Sequence, residues 1–288
     1  MNPILLARHV EDSLRELVHS TLNTTSSAFD GSVERFLQDP NNFLKGPWVS
    51  ADMPFRQEGH RESWTQPFPE IPLGFRPFRH QSLAFERLGG ATPRSTLIAT
   101  GTGSGKTESY LWPILDYCRQ HKDEPGIKAI LIYPMNALAS DQARRIAKAL
   151  TEHSSLEGVT AGVYADAEPE DAAHAVTPES LITHRESMRR RPPDILLTNY
   201  KMLDYLLLRG SDRRLWEQND PQTLRYVVVD ELHTFDGAQG ADLALLLRRL
   251  KERLNTPEEQ LVCVGSSATL RSGDEAKAPL QEYARTIF

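Results

Sequence analysis

Residues 99–108 read ATGTGSGKTE, with Gly101, Gly103 and Gly105 in alternation, then a cation, Lys106, and a hydroxyl, Thr107. The run directly follows the apolar stretch Leu97-Ile98-Ala99. Alternating glycines let successive backbone N–H groups turn inward on one anion, and a helix beginning at Lys106 adds the positive potential of its N-terminus. Such a cradle binds phosphate. Thr102, Gly103, Ser104 and Gly105 surround the oxygens, Lys106 reaches the β- and γ-phosphates, and Thr107 offers its hydroxyl to Mg²⁺. Glu108 completes the set of nucleotide-binding candidates. Thr100 departs from the general pattern G-x-x-x-x-G-K-[ST], which has glycine there. A glycine-rich turn that binds nothing is the plainer alternative; the G-K-T run after a buried strand weighs against it.

The second group lies in YVVVDELH (226–233), where two carboxylates and a histidine end an apolar run. A carboxylate at the C-terminal end of a parallel strand stands beside the ligand-binding loops of such a sheet. Asp230 suits Mg²⁺, held through water, because that ion takes oxygen ligands and keeps part of its hydration shell. Glu231 suits the base that orients and deprotonates an attacking water, and His233 a link to neighbouring segments. Two adjacent acids that merely cap a helix are the bland reading. Together with GSGKT the pair specifies Mg-ATP.

These groups need a scaffold, and the chain spells one from residue 75 onward. Apolar runs at 95–100, 127–134, 159–165, 194–203, 224–231 and 260–269 alternate with helical patterns that include 106–120, 137–153 and 241–254. The fourth run passes into a helix at DYLLL (204–208). Near-continuous apolar strands separated by helices imply a parallel α/β sheet covered on both faces. The first twenty residues carry helical spacing, and an irregular stretch rich in Pro, Gly and aromatics follows. We read residues 1–72 as an N-terminal extension whose Trp and Phe residues pack on the domain formed by residues 73–288.

Composition removes other classes. At a net charge of −6 there is no global basic field, so any nucleic-acid contact must come from a local patch. The two cysteines, Cys118 and Cys263, are too few for a four-cysteine zinc site and imply a reducing compartment. No run reaches membrane-spanning length and the N-terminus lacks a signal peptide's apolar core. The cytoplasm, with no membrane partner, is the expected location.

In this order the motifs resemble those of superfamily 2 nucleic-acid helicases of the DExH type, in their first RecA-like, P-loop NTPase domain. FRPFRHQ is similar to the upstream glutamine element, which implies that Gln81 reads adenine with Phe75 or Phe78 near the base. ATGTGSGKTE resembles motif I, YPMNALASDQARRI motif Ia, LLTNYKMLDYLLLR motif Ib, VVVDELH motif II and GSSAT motif III. The resemblance implies nucleic-acid contacts at Asn136, Thr198 and Asn199, and coupling of hydrolysis to domain movement through His233, Ser267 and Thr269. The segment after motif II looks most like large bacterial and archaeal DNA helicases of the Lhr- and MrfA-like kind, relatives of which serve in DNA repair and antiphage defence. That implies an ATP- and Mg²⁺-dependent helicase or translocase acting on nucleic acid, DNA before RNA. Nothing after Thr269 resembles the second RecA-like domain or its arginine-bearing Q-x-x-G-R-x-G-R element. The chain therefore reads as part of a larger motor, completed by further sequence or by a partner subunit. A non-catalytic ATP- and nucleic-acid-binding module and an RNA helicase domain are the alternatives. The run MRRRPP (188–193) reads either as charge near the strand's path or as a solvated loop.

Overall fold

The computed structural model describes residues 3–22, 26–39, 55, 67–101, 103–134, 136–268 and 277–288, without the side chains of 3, 4, 136–140 and 277–280. The chain divides into two compact units, residues 1–54 and 55–288. In the first, helix α1 (Pro3–Thr21) meets α2 (Ser32–Gln38) through Arg15 on the Leu37 carbonyl and His19 on Glu34. Residues 55–72 of the expected extension thus fall within the second unit, and Phe68 and Ile71 lie in its hydrophobic core. Residues 40–54 and 56–66, which carry many of the aromatics expected to pack on that unit, lie outside the described residues.

The second unit is built on six strands, β1 (Thr96–Ala99), β2 (Ala129–Tyr133), β3 (Ala161–Tyr164), β4 (Ile195–Asn199), β5 (Tyr226–Val229) and β6 (Val262–Ser267). They pair in the order β1-β6-β5-β2-β4-β3, every pair parallel. Successive side chains leave a strand on opposite faces, so each apolar run feeds two cores. Leu131 and Tyr133 join one face, under α3 (Arg79–Leu88), α4 (Lys106–Gln120) and α5 (Asn136–Glu152). Ile130 and Ile132 join the other, under α6 (Arg185–Arg190), α7 (Tyr200–Leu208), α8 (Gly237–Leu254) and α9 (Lys277–Ile287). Burying such a side chain stabilises the fold by about 1.5–3 kcal/mol, which is why unbroken aliphatic runs end up in the middle of the sheet.

Two helices start earlier than the sequence pattern suggests. The expected fourth run ends at Asn199 and α7 begins at Tyr200, because Asn199 Oδ1 accepts from the Met202 N–H (2.7 Å) and caps the helix. Helix α8 begins at Gly237 rather than near Ala241, with Gly237 at a positive φ of 52°. Its leucines Leu243, Leu246, Leu247 and Leu250 are buried, so α8 is a packing helix.

Register sets the site. Ala99 lies opposite Ser267, and Val229 opposite Gly265, so the loops after β1, β5 and β6 leave the carboxyl edge side by side. At the amino edge a buried ion pair, Lys128 Nζ to Asp194 Oδ1 (2.7 Å), ties β2 to the start of β4. Lys128 also donates to the Glu124 and Gly126 carbonyls, while Asp194 Oδ2 accepts from the N–H and hydroxyl of Thr160.

Candidate nucleotide site and nucleic-acid edge

After β1 the chain turns through Thr100–Gly105 into α4. Gly103 and Gly105 adopt φ of 73° and 74°, a left-handed backbone open to glycine at little cost. The Thr100 and Ser104 hydroxyls bond at 2.6 Å across the loop, which explains why position 100 tolerates threonine. Lys106 is buried, with Nζ 3.3 Å from the Thr100 carbonyl and 4.0 Å from Glu231 Oε1. Thr107 is buried in the first turn of the same helix. Thr102 lies outside the described residues.

Helix α3 supports the loop from the side. Gln81 is buried; its Oε1 accepts from the Phe78 N–H (2.8 Å) and its Nε2 donates to the Gly105 carbonyl (3.0 Å). Both ends of the amide are engaged within the protein, so Gln81 fastens α3 to the loop rather than facing solvent. His80 Nε2 lies 3.0 Å from the Ser104 carbonyl. Partial burial pushes the His80 pKa below its ordinary value, the Ser104 carbonyl opposes this, and the Lys106 charge adds to it. Because a carbonyl only accepts, Nε2 is the protonated ring nitrogen in this contact. The two aromatics separate: Phe75 packs edge-on against Trp112 (5.8 Å), whereas Phe78 lies 5.6 Å from Phe55. Phe55, which no motif marked, reaches the loop itself, where a β-carbon on Gly101 would sit 3.4 Å from its ring. Its position in an irregular segment left no periodicity to expose it.

The acidic pair occupies the edge beside this loop. Asp230 is buried, and Ser266 Oγ donates to its Oδ1. Burial raises the Asp230 pKa, and the neighbouring Glu231 adds to this, while Ser266 and Lys106 oppose it. Glu231 adopts φ 48° and ψ 49°, and its N–H donates to Ser266 Oγ at 3.1 Å. Glu231 Oε2 accepts from the Ala268 N–H (3.2 Å) and lies 3.4 Å from His233 Nδ1, which in turn is 3.1 Å from Ser267 Oγ. Ser266 is a site residue that the motif pattern did not single out, although it sits inside GSSAT. Thr269 lies outside the described residues. Asp230 and Thr107 carry hard oxygen donors of the kind magnesium takes, although no cluster of three or more His, Cys, Asp or Glu among the described residues could hold a metal by itself. An ion bound there would draw further ligands from water and phosphate oxygens.

Glu108, in the first turn of α4, meets Arg145 of α5, Oε1 to Nη2 at 3.2 Å. Its other oxygen is buried against Gly105 without a hydrogen-bond partner.

The residues expected to hold nucleic acid stand less uniformly. Asn136 opens α5 just past the end of β2, at the carboxyl edge, its side chain being outside the described set. Thr198 does not fit the expectation: the sheet is covered on both faces and buries it, and its hydroxyl donates to the Tyr164 carbonyl at 2.9 Å. Asn199 caps α7 through Oδ1, and its Nδ2 reaches Asp166 at 3.4 Å. Of the basic run, Arg189 pairs with the fully buried Asp212 (2.7 Å) and bonds the Tyr164 hydroxyl, while Arg190 pairs with Glu186 on the surface. Arg189 is therefore a structural cation.

No helix among the described residues is long and apolar enough to cross a membrane. The DEAD/DEAH box helicase model matches residues 78–277. Druantia protein DruE of Escherichia coli is 28% identical over an alignment covering 96% of this chain and 21% of that protein. The Lhr helicase/probable uracil glycosylase of Mycolicibacterium smegmatis is 33% identical, over 67% of this chain and 12% of its own length. Among solved structures, DUF1998 helicase MrfA bound to DNA superposes with a TM-score of 0.57 at 25% identity, over 79% of this chain and 28% of that one. The chain spans about a fifth or less of the length of these two curated relatives. The loop, the acidic pair and the parallel sheet lie within the matched span, and the chain belongs to the DEAD/DEAH box helicase family.

Proposed function

We propose that this chain is the ATP-binding motor module of a DNA helicase or translocase, one part of a larger protein that couples Mg²⁺-dependent ATP hydrolysis to movement on nucleic acid. The observation that carries this reading is the convergence of Lys106, Glu231 and the Asp230–Ser266 pair at one edge of the sheet, beside a loop with two left-handed glycines. Lys106 is held by the Thr100 carbonyl and by Glu231, and nucleotide phosphates compete for it as a stronger anion. Glu231 is aimed by the Ala268 N–H, and takes the proton of the attacking water as general base. Thr107 and Asp230 would hold a magnesium ion, which would supply charge stabilisation to the phosphate oxygens. His233 and Ser267 connect that base to the end of β6, the route by which hydrolysis reaches a second domain.

The backbone of the strand lies along the carboxyl edge, where α5 and α7 present helix N-termini that favour phosphate. DNA rather than RNA is supported by the likeness to MrfA, whose structure is described as bound to DNA. A second RecA-like domain, from further sequence or a partner subunit, supplies the arginines that complete hydrolysis. The test is binding of a fluorescent ATP analogue, with ATP turnover measured in parallel, with and without single-stranded DNA. Binding is expected to be lost in Lys106→Ala and retained in Glu231→Gln, with turnover by this chain low. Analogue binding unchanged in Lys106→Ala would overturn the assignment.

A further inference from the structure

Helices α4 and α5 lie on the same face of the sheet, one carrying the loop lysine and the other leaving β2 at the carboxyl edge. Among the described residues a single ion pair joins them, Arg145 to Glu108. The carboxylate has one oxygen on α5 and the other against the phosphate loop: a β-carbon on Gly105 would lie 3.1 Å from Oε2, which is buried without a partner. Gln81 Nε2 crowds the same point from the other side, 2.5 Å from that β-carbon. Gly105 is thus pinched between α3 and a side chain that α5 steers. The Arg145 charge also opposes the upward push of burial and Asp230 on the pKa of the buried Tyr133 hydroxyl.

We propose that Arg145 is a positioning residue: through Glu108 it transmits the placement of α5, and of nucleic acid held at the start of that helix, to Gly105 and Lys106. This rests on the function proposed above. Exposure suits the role. The Arg145 side chain is 54% exposed and that of Glu108 19% exposed. A pair of this kind adds little to stability, so it breaks and reforms at little cost. Without the arginine, the Glu108 carboxylate keeps its place beside Gly105 but loses its link to α5, so the placement of that helix no longer reaches the loop. An ordinary surface bridge has no such consequence.

The experiment measures the affinity of this chain for a non-hydrolysable fluorescent ATP analogue with Mg²⁺, with and without saturating oligothymidylate, in wild type, Arg145→Gln and Arg145→Lys. The ratio of the two affinities is the coupling factor. Arg145→Gln is expected to reduce it about fivefold, in the range that residues between coupled sites supply. Analogue affinity without oligonucleotide, oligonucleotide affinity without nucleotide, and the thermal midpoint are all expected to match wild type. Arg145→Lys, which keeps the charge, is expected to retain most of the coupling and answers the question should the glutamine variant fail to fold. An unchanged coupling factor in Arg145→Gln overturns the proposal. Wild type that binds the analogue but ignores the oligonucleotide overturns it too, leaving the nucleotide site standing. Wild type that binds no analogue refutes the function itself, and this inference with it.

Discussion

Replacing Gly105 with alanine attacks the loop at its tightest point. At φ 74° an alanine accepts a left-handed backbone, which costs about 1 kcal/mol. Its β-carbon would also sit 2.5 Å from Gln81 Nε2, too close for any real contact, so the amide must move. Moving it breaks two bonds, from the Phe78 N–H and to the Gly105 carbonyl, each contributing about 1 kcal/mol. The sum is about 2–3 kcal/mol, equivalent to a thermal midpoint lower by about 5–10 °C in a domain of this size. Gly103 supplies the control. It has nearly the same φ, 73°, yet among the described residues nothing lies within 4 Å of its β-carbon position, so Gly103→Ala should cost the backbone contribution alone. Urea denaturation of both variants isolates the Gln81 contribution by difference. Adding Gln81→Ala to Gly105→Ala should then remove the collision, leaving the double variant less destabilised than the two single losses added together. Equal costs for Gly103→Ala and Gly105→Ala would refute the claim that Gln81 clamps the loop.

Ser266→Ala removes both the donor to Asp230 and the acceptor of the Glu231 N–H, and leaving that N–H unpaired costs about 1–3 kcal/mol; calorimetry should show the lost stability, and titration should show weakened Mg²⁺-dependent nucleotide binding. Lys128→Ala leaves Asp194 charged and buried, for a loss of about 3–5 kcal/mol in urea denaturation, while Lys128→Met with Asp194→Leu should lose less. His80 has a folded pKa below its ordinary value of 6.5, so its contribution to stability is present above that value and declines as pH falls through and below it. His80→Gln should flatten the dependence of the thermal midpoint on pH over that window; an unchanged dependence would mean that another group carries it.

The phosphate loop was legible because its chemistry is local: glycines that tolerate positive φ, then Lys106 and Thr107 at the start of α4, lie consecutively in the chain. The strands were legible for a different reason, since only a sheet covered on both faces buries every residue of Ala129–Tyr133. The reading was incomplete where one residue had a second use. Thr198 looked like a phosphate ligand at the end of an apolar run, yet a sheet covered on both faces buries its side chain, and its hydroxyl goes to the Tyr164 carbonyl. Asn199, marked as a contact, also caps α7, which starts four residues ahead of the expected helix. Contacts across long sequence separations left no trace. Phe55 against Gly101, Ser266 on Asp230 and Arg145 on Glu108 each join segments that only the folded sheet brings together.

The sealed amino edge has a consequence for how such a domain is altered. Lys128, Asp194 and Thr160 lock the starts of three neighbouring strands without help from anything at the opposite end. Loops at the carboxyl edge therefore hang from strands whose opposite ends are tied by a separate network. Variation in those loops retunes what the domain grips, whereas variation at the sealed end is tested first against survival of the fold. Anyone regrafting this motor onto another polymer or partner should randomise the first set of positions and hold the second fixed.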